Sequence, residues 1–185
     1  MDSTPDIIAG CKQGDKKAQE QLYKNFYTAM IKLCLRYTHN EADAVEVMNN
    51  GFLKVFRYIH RFDPGKAALS TWIRSVIINS CIDFLKLKEN IPFHEPVQEA
   101  AYSITVNADV AEQIDVNELL HYIRELPNAT RVIFNLYVVE GYTHREIASL
   151  LNISDGTSKW HLSEARKLLK QQLNQQEVKY ERHKL

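Results

Sequence analysis

Residues Gly141–Leu169 read GYTHREIASLLNISDGTSKWHLSEARKLL, and the punctuation of this stretch decides the fold. Thr143 and Glu146 stand at the spacing of a capping box, in which the hydroxyl and the carboxylate each satisfy an exposed amide at a helix start. The helix so opened carries Ile147, Leu150 and Leu151 for burial, with Ala148 small enough for a second helix to cross closely. Asn152 tolerates the left-handed conformation at a helix end. Ile153 plugs the turn, and Ser154 caps the next helix with Asp155 in its first turn. The result is helix, short turn, helix.

The second helix is patterned differently from the first. Leu162, Ala165 and Leu169 recur at helical spacing and are expected to face inward. That leaves Thr157, Ser158, Lys159, Trp160, Ser163, Glu164, Arg166 and Lys167 outward or on the flanks. Such side chains reach base edges, thymine methyls and phosphates, and in helix-turn-helix motifs the second helix lies in the DNA major groove. The plain alternative is a helical hairpin with a solvated face. Two caps, a small crossing residue and a turn plug in one stretch weigh against it. Thr157–Gln172 carries a net charge of +3. A handful of phosphate contacts gives only weak binding, on the order of 10⁻⁴–10⁻⁶ M at physiological salt. A second anchor is therefore required, either a dimer partner or a larger machine that also holds the DNA.

Upstream, Val132, Ile133, Leu136 and Val139 predict a helix, with Gly141 as its C′ residue. Ile114, Leu119, Leu120 and Ile123 predict another, stopped near Leu126–Pro127. Glu89 to about Ala111 has no sustained period and contains Pro92 and Pro96, as a flexible linker does. In the first half, Asp15 caps a helix bearing Ala18, Leu22, Phe26, Met30, Leu33 and Tyr37. Val45, Met48, Phe52, Val55 and Ile59 form a second apolar series. RFDPGKAA breaks the chain, and a third helix starts near Ser70 or Thr71 and carries Trp72, Ile73, Val76, Ile77, Phe84 and Leu85. No strand pattern is found. The expected fold is all-α: two small helical domains, 7–88 and 112–173, joined by a flexible linker at 89–111 and followed by a polar tail at 174–185 that frays.

Charge and composition narrow the function. The chain of 185 residues has a formal net charge of zero, distributed as −1 over 1–50, +5 over 51–88, −7 over 89–130 and +3 over 131–185. Two basic blocks around an acidic joint fit a protein that touches a polyanion at two places. Cys11, Cys34 and Cys81 are odd in number and widely spaced, with no CxxC pair, so neither a disulfide framework nor a zinc site is indicated. The seven histidines are scattered without metal spacing and no Gly-rich phosphate loop is present. No enzyme, cofactor, metal or small-molecule substrate is expected. No apolar run approaches a membrane span and the start lacks a signal-peptide pattern, so the expected location is the cytoplasm.

Three stretches together resemble a bacterial RNA polymerase sigma factor of the extracytoplasmic-function (ECF) type. LPNATRVIFNLYVVEGYTHREIASLLNISDGTSKWHLSEARKLL is similar to the domain, region 4, that reads the −35 promoter element. AVEVMNNGFLKVFRYI resembles the region 2 helix that clamps to core polymerase, and STWIRSVIINSCIDFLK the helix that meets the −10 element. The resemblance implies polymerase contacts at Asn49, Phe52, Lys54, Val55, Phe56 and Arg57. It implies −10 contacts at Lys66, Ser70, Trp72, Arg74, Asn79 and Asp83, with Lys86 and Lys88 on phosphate. The loop Asp63–Leu69 and the following helix would hold one flipped, unpaired non-template base. Extrusion costs a few kcal/mol, which a pocket lined by Asn79 and Asp83 would offset. Trp72 is read first as core packing. The residues of 157–167 named above would meet the −35 element.

The implied partners are core polymerase, promoter DNA and an anti-sigma factor, which in this family is frequently membrane-bound. The implied activity is promoter selection and melting. The chain departs from the family pattern at Asn49–Asn50, Leu69, Ser158, Trp160 and Glu164, which bears on promoter sequence rather than role. A second reading is a two-domain helix-turn-helix regulator that binds palindromic DNA as a dimer, independently of polymerase. The helical, basic first half, lacking alternating strands and an acidic phosphorylation pocket, argues against it.

Overall fold

The computed structural model describes residues 4–88 and 116–182, with the backbone alone at 116–118 and 175–182. All regular structure among the described residues is helical. The chain divides into two compact units, Met1–Asn90 and Ile91–Leu185. The expected flexible linker, with Pro92 and Pro96, and Ile114 lie outside the described residues.

The first unit has four helices: α1 (Thr4–Lys12), α2 (Lys16–Tyr37), α3 (Glu41–Tyr58) and α4 (Leu69–Lys88). The apolar periodicity predicts α2, α3 and α4, but not α1. This helix is anchored by only Ile7 and Cys11, one turn apart and both buried. Its amino acids carry too short a period to stand out in the sequence. Gly14, at φ +79°, makes the turn into α2, and Asp15 caps α2 by accepting the amide of Lys17 at 2.8 Å. Asn40 caps α3 through the amide of Asp43 at 2.8 Å. A 3₁₀ turn, Ile59–Arg61, then leads into the loop before α4.

The core is the shared apolar stripe of three helices: Leu22, Met30 and Leu33 of α2, Met48, Phe52 and Val55 of α3, and Ile73, Ile77 and Leu85 of α4. Helices α3 and α4 approach closely at Gly51, where a Cβ would run into Ile77 Cδ1 and stand 3.5 Å from Ser80 Oγ. All three cysteines are buried and none is disulfide-bonded.

The second unit contains α5 (Val116–Arg124), α6 (Asn128–Phe134), a π-helical turn (Asn135–Val139), α7 (His144–Leu151) and α8 (Asp155–Arg182). Its core gathers Ile123, Leu126, Phe134, Leu162, Ala165 and Leu169, with Tyr122, Tyr137 and Leu168 packed against them. Arg131 is also fully buried, held by the Arg124 carbonyl and Asn128 Oδ1, each at 2.9 Å.

Two expectations need correction here, and two residues of the apolar series sit differently from their neighbours. Leu119 and Val139 lie in the helical segments their series predict but are 37% and 40% exposed. The π turn widens the helix, so Val139 falls out of phase with Val132 and Leu136. Leu150 is only half-buried, because Ile147, Ala148 and Leu151 occupy the inner face of α7. The backbone of α8 stays helical to Arg182, where fraying is expected after about Leu173.

Candidate nucleic-acid interface

The helix-turn-helix is built as its caps dictate. Glu146 accepts the Thr143 amide at 2.8 Å and the Thr143 hydroxyl accepts the Glu146 amide at 3.3 Å. The amide and hydroxyl of Thr143 hold the Glu146 carboxyl below the usual carboxylate range. Asn152 takes the left-handed conformation at φ 58°, and its amide and that of Ile153 both donate to the Ala148 carbonyl. Ser154 Oγ accepts the amide of Thr157 at 3.0 Å, which fixes the start of α8.

That geometry corrects two of the expected DNA contacts. Thr157 and Ser158 are buried, at 3% and 0% exposure. They fall one turn beyond the cap, on the side of α8 that packs toward α7. Thr157 Oγ1 bonds Ser154 Oγ, and Ser158 Oγ bonds His144 Nδ1, each at 2.9 Å. His144 in turn stacks on Tyr137 at 4.4 Å between ring centroids. Burial, followed by the nearby positive charges of Lys159 and Arg166, lowers the His144 pKa, against an opposing pull from Asp155.

One turn on, buried His161 bonds Thr130 through Nδ1 at 2.9 Å and meets the Trp160 ring edge-on at 4.8 Å. Burial brings its pKa down to about 4. Neither histidine stands out in the sequence as anything but one of a scattered set, yet both set how α8 sits on its unit. Their common signal is position, since each lies on or beside the inner stripe.

What remains outward on α8 is a cationic face. Lys159, Arg166, Lys167 and Lys170 are exposed; Trp160, Ser163 and Glu164 are half-buried at its edges. Glu164 leans toward Lys167 at 3.4 Å.

In the first unit the polymerase candidates on α3 separate into two sets. Phe52 and Val55 are buried, at 1% and 0%, and belong to the core stripe with Met48 and Ile59, so they are not available to a partner. Asn49 and Arg57 are exposed, and Lys54 and Phe56 are half-buried. Asn49 Oδ1 accepts the Tyr23 hydroxyl at 2.9 Å. Leu53, 64% exposed, joins this face, with Tyr27 of α2 exposed nearby in the ring series Tyr27–Tyr23–Phe52–Phe56. Leu53 escapes sequence reading because it sits beside Phe52 in an apolar pair. Its phase, one residue off the stripe, is the signal.

On α4 the expected Asn79–Asp83 pocket does not form. Both side chains are exposed on the outer surface; Asn79 donates to the Ser75 carbonyl at 2.8 Å and Asp83 pairs with Lys54 of α3 at 2.8 Å. Trp72 is half-buried and packs on Phe62 at 5.6 Å, as the core-packing reading expects. Lys66 and Ser70 are exposed beside the loop, Arg74 is half-buried, and Lys86 is exposed at the far end of α4. The loop is tied by Asp63, whose carboxylate accepts the Gly65 amide at 2.9 Å and whose carbonyl accepts the Lys66 amide at 3.1 Å. Lys88 is drawn onto Asp43 and over the Phe84 ring; its hydrogen bond holds the Asp43 carboxyl below the usual range.

Among the described residues no cluster of His, Cys, Asp and Glu could hold a metal, and no helix is long and apolar enough to cross a membrane.

Comparison with known proteins joins the two units. Residues 22–90 match the family Sigma-70 region 2, and residues 108–169 match Sigma-70, region 4. The chain is 25% identical over 153 residues to the ECF RNA polymerase sigma factor SigM of Bacillus subtilis, covering 82% of this chain and 92% of that one. It is 28% identical over 161 residues to the ECF RNA polymerase sigma factor RpoE of Cereibacter sphaeroides, covering 86% and 88%. In fold it is similar to the sigma factor RpoE crystallised with the anti-sigma factor NepR from Bartonella quintana, at a TM-score of 0.53 and 15% identity over 84% of this chain and 96% of that one. With both regions present in this order, the chain belongs to the extracytoplasmic-function sigma factors, which bind RNA polymerase and direct it to specific promoters.

Proposed function

We infer that this chain selects promoters through the exposed face of α8 at the −35 element and through the loop at 63–68 with the start of α4 at the −10 element, while α3 docks on core polymerase. The observation that carries the reading is the exposed cationic face of α8 on an intact helix-turn-helix whose inner side is sealed by Leu162, Ala165 and Leu169. In this assignment Lys159, Trp160, Ser163, Glu164, Arg166 and Lys167 face DNA at −35. Lys66, Ser70 and Arg74 face it at −10. Asn49, Leu53, Lys54, Phe56 and Arg57 face polymerase. Residues 7–88 act as region 2 and 112–173 as region 4. The contacts of α8 are few, so polymerase supplies the second anchor that weak groove binding requires.

The protein works in the cytoplasm, without catalysis of its own. An anti-sigma factor is the proposed inhibitor, by analogy with the fold relative crystallised in such a complex. Run-off transcription with purified core polymerase and a genomic promoter library tests the reading. Discrete products above those of core alone are expected. No product, together with a footprint on DNA in the absence of polymerase, would favour the independent regulator.

A further inference from the structure

Along residues 155–167 of α8, the side turned to the unit's core holds Thr157, Ser158, His161, Leu162 and Ala165, all buried. On the remaining side only Trp160 has an apolar side chain. It stands seven residues, two turns, before the exposed Lys167, so indole and amine share one side of the helix.

The indole is braced. Its ring stands edge-on to the His161 imidazole, with 4.8 Å between centroids and 78° between planes. His161 is buried, and its Nδ1 bonds Thr130 Oγ1 of α6 at 2.9 Å. Its Nε2 is buried with no hydrogen-bond partner. The Thr130 hydroxyl therefore sets the plane of the imidazole, and the imidazole sets that of the indole. A helix that never reaches the groove thus fixes the orientation of a ring that the recognition helix turns outward.

Every base pair shows donors and acceptors in the major groove, but the apolar feature there is the C5-methyl of thymine. Lysine, arginine, serine and glutamate address the polar pattern or the phosphates. A rigidly held apolar ring among them matches the methyl. We propose that Trp160 is a specificity-determining residue that reads the methyl of one −35 thymine, with His161 and Thr130 as positioning residues for its ring. The inference rests on the −35 assignment of α8 and names the chemical group that one of its residues selects. Tryptophan at this position departs from the family pattern, so the preference belongs to this chain rather than to its family.

The test binds holoenzyme, assembled from the full chain and core polymerase, to promoters in which each −35 thymine in turn is replaced by deoxyuridine. That exchange removes the methyl and keeps every hydrogen-bonding group. Burial of one methyl is worth on the order of fourfold in affinity, and with the wild-type chain one position should lose about that much. Trp160→Ala should bind thymine and deoxyuridine alike at that position and keep the profile elsewhere. Thr130→Val, matched in shape, should shrink the thymine preference at the same base pair, where a general loosening of the unit would weaken all positions together. A flat wild-type profile overturns the methyl contact; it is the result expected if the indole only covers His161 or offers its Nε1–H to guanine or phosphate. An unaltered profile in Trp160→Ala overturns it as well, and one in Thr130→Val removes the brace. Should circular dichroism show Trp160→Ala unfolded, the wild-type profile and Thr130→Val decide. Wild-type holoenzyme that initiates at no promoter removes the −35 assignment itself, whereas initiation with a flat profile removes the methyl contact alone.

Discussion

In the first unit α3 and α4 meet at Gly51, where the absence of a side chain lets Ile77 and Ser80 lie against the α3 backbone. In the second unit α8 meets its neighbours partly through polar pairs, His144 to Ser158 and His161 to Thr130. One contact is closed largely by shape, the other by hydrogen bonds of neutral groups, with His161 buried and His144 half-buried. Shape has no pH dependence, and the Lys88–Asp43 pair that also ties α3 to α4 is lost only as pH falls below the usual carboxylate range. A buried imidazole depends on pH sooner, because it is neutral in the folded unit and protonates readily once exposed. Acidity should therefore loosen the unit that reads the −35 element before the unit that docks on polymerase.

The comparison breaks most visibly in the apolar unit. Phe52→Ala, deleting a ring with 1% exposure, should destabilise unit 1 by about 3–5 kcal/mol. The adjacent Leu53→Ala, at 64% exposure, should change stability by no more than about 0.5 kcal/mol and weaken capture of core polymerase. Urea melts of both variants, set beside a polymerase pull-down, check the pair. Equal destabilisation would mean that the buried and outward faces of α3 are not as distinct as their exposures.

The polar unit should break by titration. His161 falls from 6.5 to about 4 on folding. Its neutral form is thus favoured in the native state, and the stability it contributes is present above pH 6.5 and lost as pH falls from 6.5 toward 4. The loss amounts to about 3 kcal/mol. His144, lowered in the same direction, adds to it. Hydrogen exchange should show amides of α7 and α8 losing protection in that window while those of α3 and α4 hold. His161→Phe should flatten the dependence, and an unchanged pH profile in that variant would clear His161 of the effect.

How far the sequence discloses all this follows the same division. The caps Asp15, Thr143, Asn152 and Ser154 are local features, and each appears where its residue type demands. Apolar stripes disclose α2, α3 and α4 for the same reason. Helix α1 is too short to show a period, and the π turn at Asn135–Val139 shifts phase without leaving a residue signature. Side-chain direction at interfaces is the weaker inference. Ser158 and Thr157 look like groove-facing polar residues, but burial depends on α7 lying across them. Phe52 and Val55 look like a docking surface because a family helix carries the role, while the stripe they complete belongs to the core. Asn79 and Asp83 share a face as expected, yet Lys54 of α3 answers Asp83, and only tertiary packing brings that lysine there.

A smaller effect sharpens the shape-closed contact. Gly51→Ala gains helix propensity of about 1 kcal/mol but forces its methyl onto Ile77 Cδ1. Overpacking costs about 1–3 kcal/mol, so a net loss of about 1 kcal/mol is expected. Combining it with Ile77→Val, which shortens the clashing arm, should recover part of that loss. Melts of the two single variants and the double variant give the coupling, and strict additivity would move the close approach elsewhere along α3.

The smallest expected change lies on the exposed face of α8. Glu164 is half-buried at the edge of the cationic face, with Lys167 at 3.4 Å. A surface pair of this length is worth well under about 1 kcal/mol, so Glu164→Gln should barely alter folding. Its effect should appear in DNA binding. The carboxylate now shields Lys167 and repels phosphate, and removing its charge leaves the lysine available to one more phosphate. Affinity of the holoenzyme for promoter DNA should rise slightly, with the logarithmic salt slope steeper by about 0.9. A carboxylate that instead accepts a hydrogen bond from a cytosine amino group would give the opposite pattern, with no change in slope and a relaxed preference at one −35 position. Binding measured across a salt series on a set of single-base promoter variants separates the two. A constant slope with loss of one base preference would place Glu164 inside the groove and turn α8 about its axis relative to the face its exposed cations define.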